Sequence, residues 1–530
     1  MIKKIKSLCT IAFAFSTSLA FSQPFAQPNK IEYALQAIKY AYVDTIDEKK
    51  ITDDAIRAMV KDLDPHSVYI PVEEMREMNE PLVGKFEGIG IQFNILEDTI
   101  MVTQTIPGGP SEKLGIRQGD RIVKIDGVVK AGVKITNPDV LKLLRGNKGT
   151  KVTVGILRRG SPDLIDFTIT RDQIPLFSVD ASYMVTPKIG YIKISRFADN
   201  TVEEYKAAFA KLKDLGMESL ILDLQDNGGG YLNRAVELSD EFLSDGKRIV
   251  FTRGRATQSE DYNSTGIGGF EKGRLAILIN ESSASASEIV SGAVQDWDRG
   301  LIIGRRSFGK GLVQKPVPLP DGSAIRLTVA HYYTPSGRCI QKPYELGDEE
   351  SYDLDFSNRI RNGELTNPDS VHFSDSTKYF TSNKRLVRGG GGIMPDLFVP
   401  LDTTEFSNFF SDLRRQNAFN DYILSYVDNN RNELKKSYPT INDFKTKFVV
   451  SEKFMDDFLA NAEKLKVKKD SVGLKLSYDL IKLNIKAIIA QNLWNVEGAI
   501  EVYNERNAAL KRAIEAMNDN TYEKMKIAVN

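Results

Sequence analysis

The spacing of apolar positions changes along the chain. From Ile31 they recur at helical intervals, at Leu35, Ile38 and Tyr42, and again at Ile56, Met59, Val60 and Leu63 after Thr52-Asp53-Asp54. Together with "LDPHSVYI" this predicts an N-terminal helical region over 23–83. The period then shortens to two, with Val152, Val154 and Ile156 alternating in one stretch and Ile165, Phe167 and Ile169 in the next, which predicts a β-rich domain at 84–174. From Ile189 the short apolar runs "IGYIKI", "SLILDL", "LAILIN" and "GLII" are separated by helical stretches. Such runs suit strands covered on both faces, so an α/β core is expected over 175–400. Within it, residues 341–386 are poor in apolar residues and read as a surface insertion. After Pro400 the helical period returns, with Ile481, Ile485, Ile488 and Ile489 on one stripe and lysines opposite, giving a C-terminal helical region over 401–530.

Composition adds bounds. A chain of 530 residues exceeds the size at which one core stops growing. Its 71 basic and 71 acidic residues are balanced, which argues against a nucleic-acid partner. Lys3, Lys4 and Lys6 precede the apolar "LCTIAFAFSTSLAF", and "AFS" before Gln23 supplies small residues for cleavage. Residues 1–22 therefore read as a signal peptide, too short for a membrane span, and the mature protein is expected to be exported to a periplasm. Membrane association through a retained amphipathic start is the alternative. Loss of Cys9 with that segment leaves Cys339, so no disulfide framework is expected.

The candidate chemistry lies in "NESSASASEIVSGAVQDWDRGLIIGRRSFGKGLVQ", residues 280–314. A serine hydroxyl needs a base to become a nucleophile, usually histidine, but His66, His331 and His372 lie outside any nucleophile motif. A lysine serves instead if burial leaves it neutral, and Lys310 sits between Gly309 and Gly311, where the backbone can be approached closely. Periodicity does not choose among Ser282, Ser283, Ser285 and Ser287 as its partner. No cluster of His, Cys and Asp has metal-ligand spacing, and no strand-glycine-helix unit with a downstream acid suggests a nucleotide, so no cofactor is expected.

The strings "ESSASASEIVSGAVQD", "SFGKGLVQ", "LDLQDNGGG", "YYTPSGR" and "GGGGIMPD" occur in an order that resembles the carboxyl-terminal processing peptidases, or tail-specific proteases, over about residues 50–400. That resemblance implies an α/β, crotonase-like serine protease core with an inserted β-rich PDZ domain and helical N- and C-terminal regions. It implies Ser285 as nucleophile, Lys310 as general base 25 residues on, and Gln314 as the group that orients the lysine. A helix starting near Ser287 would supply the N–H of Ala286 to an oxyanion, with Gly229 or Gly230 as the second donor. The family turn normally reads Asn-Pro-Gly-Gly. Here Gly228 replaces the proline, which predicts a looser loop, and Gln225 stands where an arginine is common, which predicts a missing ion pair.

"FEGIGIQF" and "PGGPSEKLGIRQGDRIVKIDG" resemble a PDZ domain, whose matching positions here are Phe86, Gly88, Ile89, Gly90 and Ile91. Such a loop aims N–H groups at a terminal carboxylate while the peptide pairs with the following strand. The expected partners are protein or peptide substrates with free, mainly apolar C-termini. A lipoprotein adaptor and a homo-oligomer formed through the terminal helices are further partners in view. The competing class is a catalytically silent PDZ scaffold that delivers partners to another protease. His66 and Cys339 are read as structural.

Overall fold

The four apolar runs become parallel strands Ile189–Ile194, Ser219–Asp223, Leu275–Ile279 and Leu301–Gly304. Antiparallel Val179–Met184 closes one edge of this sheet and parallel Leu397–Phe398 the other. A computed structural model describes residues 29–159 and 161–528 of the chain, so the signal-peptide reading of 1–22, with Cys9, lies outside the described residues.

Residues that alternate along these strands serve two cores. Leu220, Leu222, Leu275 and Ile277 face helices Thr201–Asp214, Leu232–Asp240 and Ala286–Asp296, whereas Ile221, Ala276, Leu278 and Ile303 face the other way. What covers that second face divides the helical region 401–530 into two parts. Helix Ala508–Asn518 returns to the core and lays Ala509, Ala513 and Ala516 on the sheet. Its small residues permit close approach, a property that periodicity does not distinguish from membership of a bundle. The bundle proper is formed by Asn408–Arg415, Ala418–Ser437, Glu452–Lys464 and Ser471–Leu493, with Ile481, Ile485 and Ile489 buried in its centre and Ile488 partly so.

A second sheet is built around the long strand Ala324–Tyr333. It pairs with Leu312–Pro318, with Arg248–Arg253 and, near its start, with Val68–Ile70. The tail of the N-terminal helical region is thus a strand of the core, followed by helix Val72–Val83. Residues 341–386 are not merely a surface insertion either, because Tyr352, Arg359 and Glu364 are buried. Their polarity is internal: Arg306 pairs with Glu364 at 2.5 Å, and Arg359 donates to the carbonyls of Arg306 and Ser307. Composition reports how polar a segment is, whereas satisfied pairs decide whether it can be buried.

The β-rich domain is an antiparallel sheet of order Ile91–Leu96, Thr99–Thr105, Arg121–Ile125, Lys151–Leu157, Ile165–Thr170. Strands Lys85–Gly88 and Asp172–Pro175 pair where the chain enters and leaves it. Leu424 of the bundle packs on Leu96 and Met101 of this domain, and Arg121 pairs with Asp428 at 3.3 Å. The described residues up to Met59 belong to a separate compact unit. Its helix Lys30–Ala41 buries no residue and leaves Ile31, Ile38 and the following Tyr42 exposed. Among the described residues, no helix is long and apolar enough to cross a membrane.

Candidate active site

Strand Leu275–Ile279 ends at Asn280, and a turn leads into helix Ala286–Asp296, which starts one residue before Ser287. This turn separates the serines that spacing could not. Ser283 donates to Leu224 O at 2.7 Å and Ser287 to Asn227 O at 2.9 Å, both fully buried, so their hydroxyls hold the turn together. Ser282 is exposed. Ser285 lines a cleft of about 500 Å³, and no acceptor among the described residues takes its hydroxyl. Its backbone is left-handed, φ 55° and ψ −112°, a costly conformation for a residue with a Cβ.

Glu288 holds that conformation. Its fully buried carboxylate accepts the Ser285 N–H at 2.8 Å, the Gly309 N–H at 2.7 Å, the Lys310 N–H at 2.9 Å and the Ser307 hydroxyl at 2.5 Å. One side chain thereby ties the serine turn to the lysine loop. Burial pushes its carboxyl up to about 7, against these four hydrogen bonds, which favour the ionised form. The glycine before the lysine is required by packing: a Cβ on Gly309 (φ +92°) would lie 3.0 Å from Gly392 N in "GGGGIMPD". Arg338, the end of "YYTPSGR", is fully buried at the other end of the helix, bonded to Gln295 at 2.8 Å and Asp296 at 2.7 Å.

The Lys310 amine enters the same cleft and bonds Gln314 Oε1 at 3.1 Å. Burial, assisted by the nearby Arg326 guanidinium, lowers its pKa from 10.5 to about 8. Gln314 in turn donates to His66 O. That carbonyl is fixed by the "DPHS" turn, in which Asp64 accepts the Ser67 hydroxyl at 2.5 Å and the Thr328 hydroxyl at 2.9 Å. The His66 ring bonds Tyr352 OH at 2.9 Å, and burial lowers its pKa to about 4, so it is a neutral structural group. No hydrogen bond joins Ser285 Oγ to Lys310 Nζ in this state, and such contacts often tighten only around substrate.

The "DNGGG" turn faces the serine, and a Cβ on Gly229 would lie 2.8 Å from Ser285 Cβ. Its two candidate donors differ. The Gly229 N–H is spent on Asn227 Oδ1 at 2.9 Å, whereas the N–H groups of Gly230 and Ala286 have no partner among the described residues. Despite Gly228 in place of proline, the turn is held tightly, because buried Asn227 also donates to Ile194 O at 2.9 Å and its own carbonyl accepts the Ala284 N–H at 3.0 Å. At Gln225 the ion pair is made differently: Lys193 lies 3.4 Å from Asp223 and donates to Gln225 O at 2.9 Å.

In the β-rich domain Ile89 O accepts the Ser111 hydroxyl at 2.6 Å and Gly90 O accepts the Ile106 N–H at 3.0 Å. The carbonyls are thus tied inward, and the N–H groups of Ile89 and Gly90 have no partner among the described residues. The Ile89 side chain is in the core, Gly88 and Ile91 flank the loop at strand ends, and the Phe86 ring lies under the Arg145 guanidinium at 4.8 Å. Burial pushes the Cys339 thiol up, which leaves it unreactive. No group of acidic, His or Cys side chains among the described residues is arranged to hold a metal ion.

Sequence reasoning missed Glu288, although Ser285-x-x-Glu288 has the spacing of a capping box. It also missed Arg326 and the anchoring carbonyl of His66, which carry no local signal.

The profile of Peptidase family S41 matches residues 188–348. A PDZ domain profile matches 101–158, that of the activating protease CtpB N-terminal domain 14–74, and a family of unknown function 409–495. The chain is 38% identical over 311 residues to a carboxy-terminal-processing protease of Bartonella bacilliformis, covering 58% of this chain and 70% of that protein. It is 34% identical over 330 residues to the carboxy-terminal processing protease CtpB of Bacillus subtilis, covering 62% and 68%. Among solved structures, the photosystem II D1 C-terminal processing protease is 26% identical with a TM-score of 0.35, covering 73% of this chain and 90% of that one.

Proposed function

Because the chain belongs to the carboxy-terminal-processing proteases of Peptidase family S41, serine peptidases that here carry a PDZ domain, we propose that it is an exported endopeptidase that cleaves proteins with Ser285 and Lys310 after engaging their free, mainly apolar C-termini. The observation that carries this reading is the shared cleft. A serine hydroxyl that no acceptor engages opens onto it beside an amine whose pKa is lowered to about 8 and which Gln314 holds.

In this mechanism Ser285 Oγ attacks the scissile carbonyl and its proton passes to neutral Lys310 Nζ. The oxyanion is met by the N–H groups of Ala286, at the start of its helix, and of Gly230, the glycine whose donor is free. Collapse of the intermediate passes the proton from Lys310 to the leaving amine. Water, deprotonated by the same lysine, then releases the acyl group and regenerates Ser285. Gln314 positions the amine through both stages.

Recognition is assigned to the loop with free Ile89 and Gly90 N–H groups. The substrate would add beside Ile91–Leu96, where Ile91, Phe93 and Ile95 pack on the apolar core of the domain and supply an apolar floor. A PDZ scaffold without activity would have no use for a desolvated lysine next to a strained serine. Export, and the periplasm as destination, rest on residues 1–22. A dimer or a lipoprotein adaptor would be held by the terminal helices, a reading supported by the exposed Ile31, Ile38 and Tyr42.

The test is incubation of the purified protein with an unfolded substrate bearing a free apolar tail, followed by mass spectrometry of the products. Internal cleavage by wild type and none by Ser285→Ala is expected. Undiminished cleavage by Ser285→Ala would remove Ser285 from the mechanism.

A further inference from the structure

Resting on that tail-binding reading, we infer that the C-terminal bundle extends the PDZ groove, so that helix Ala418–Ser437 binds the substrate backbone just upstream of the tail. A peptide whose carboxylate sits at Ile89 and Gly90 must run antiparallel to Ile91–Leu96 from its last residue backwards. This strand is the edge of its sheet, with Thr99–Thr105 on one side and no other strand beyond it among the described residues. At about 3.3 Å per residue its 6 residues span about 20 Å, so Asn94 and Ile95 face roughly the fourth and fifth residues from the substrate's end.

A cavity of about 430 Å³ opens there. Asn94 and Ile95 form one wall, Asn137 at the start of helix Asn137–Leu144 forms the second, and Asn417, Asn420 and Asp421 of the bundle form the third. This wall is fixed. Leu424 packs on Leu96 and Met101, Arg121 pairs with Asp428, and Arg159 donates to Asp428 O at 2.8 Å. Its polar groups are also held, with Asn420 donating to Asn417 Oδ1 at 2.8 Å and Asn461 to Asp421 Oδ2 at 2.7 Å.

Carboxamides offer both a donor and an acceptor, which suits the sideways N–H and C=O groups of an extended chain and reads no side chain. Asp421 is the charged residue lining the cavity, so it sets a preference against acidic residues at these upstream positions. The ligand class is therefore an extended, non-acidic polypeptide of at least about six residues ending in a free carboxylate. The bundle acts as a gauge of tail length.

The experiment uses the full chain carrying Ser285→Ala and two fluorescent peptides that share the same apolar last three residues, one three and one ten residues long. Binding about tenfold tighter for the long peptide is expected, the scale of one or two neutral hydrogen bonds. Adding Asn94→Ala and Asn420→Ala should erase this advantage and leave the short peptide unchanged. Asp421→Asn should relieve the penalty on a long peptide with two glutamates upstream, in a protein whose urea midpoint is unaltered. If long and short peptides bind equally, or if the paired alanines weaken neither, the extension is wrong and the tail reading stands. If neither peptide binds, the tail reading itself falls and takes the extension with it.

Discussion

The acidity of Lys310 links rate and stability through one number. A pKa of about 8 in place of 10.5 corresponds to about 3 kcal/mol in favour of the neutral amine. At pH 7 roughly one lysine in ten is then the free base, against fewer than one in a thousand for an unperturbed side chain. Initial rates at subsaturating substrate should climb about tenfold per pH unit below 8 and level off above it. Arg326→Met removes the cation that helps burial, so the midpoint must move upward and the rate at pH 7 must fall. The same displacement acts on folding with a defined sign. Because the folded pKa is depressed, the contribution of Lys310 to stability is fullest above about 10.5 and is lost as pH falls through about 8. Lys310→Met should therefore raise stability at pH 7 by about 2–3 kcal/mol in urea unfolding, with the gain disappearing near pH 10. A profile that stays flat between pH 6 and 9, together with no stability gain in Lys310→Met, would show that the amine is not held neutral and the mechanism needs another base.

Further outcomes follow from the same contacts. Below about pH 7 Glu288 takes up a proton and the lysine loop loses its anionic acceptor, so the logarithm of the rate should steepen from about one to about two per pH unit. Glu288→Gln should return a single slope with a lower plateau, and a wild-type curve with one slope throughout would contradict this role. Ser283→Ala and Ser287→Ala remove turn hydrogen bonds and not the nucleophile. Each should cost about 1 kcal/mol in thermal or urea unfolding while cleavage persists, and loss of activity at unchanged stability would reopen the choice of serine. A Cβ on Gly230 would lie 2.1 Å from Phe197 O, so Gly230→Ala should abolish turnover by displacing the turn, and near-normal kcat would show that the exact placement of this turn does not limit catalysis. Amidating a substrate's terminus should weaken its binding roughly tenfold to a hundredfold, the loss of about 1.5–3 kcal/mol in charge-assisted hydrogen bonding, as read from KM on matched peptides.

Why some of this was legible in the sequence and some was not comes down to the range of the contacts. Buried strands such as Leu275–Ile279 announce themselves because every residue must be apolar, and the resemblance to the tail-specific proteases points to Ser285, Lys310 and Gln314. What that resemblance omits is the scaffold that gives these residues their chemistry. Gln314 is oriented by a carbonyl 248 positions earlier in the chain, and the second face of the central sheet is closed by residues near the C-terminus. The polar segment 341–386 misled because its charges are matched in space and not along the chain. The choice between Gly229 and Gly230 depends on where Asn227 points its side chain, which no sequence pattern encodes.

The left-handed backbone of Ser285 has a practical consequence for capturing substrates. Alanine is the habitual replacement for a nucleophile, yet at φ 55° it keeps the Cβ that makes this conformation costly, by about 1–3 kcal/mol. Ser285→Gly removes both the hydroxyl and the strain, and should give a sturdier inert protein for trapping bound chains. A branched side chain fares worst there, so Ser285→Thr keeps a hydroxyl in name and loses its placement. The geometry that aims the hydroxyl into the cleft also closes the shortest mutational route from this protease to one with a threonine nucleophile.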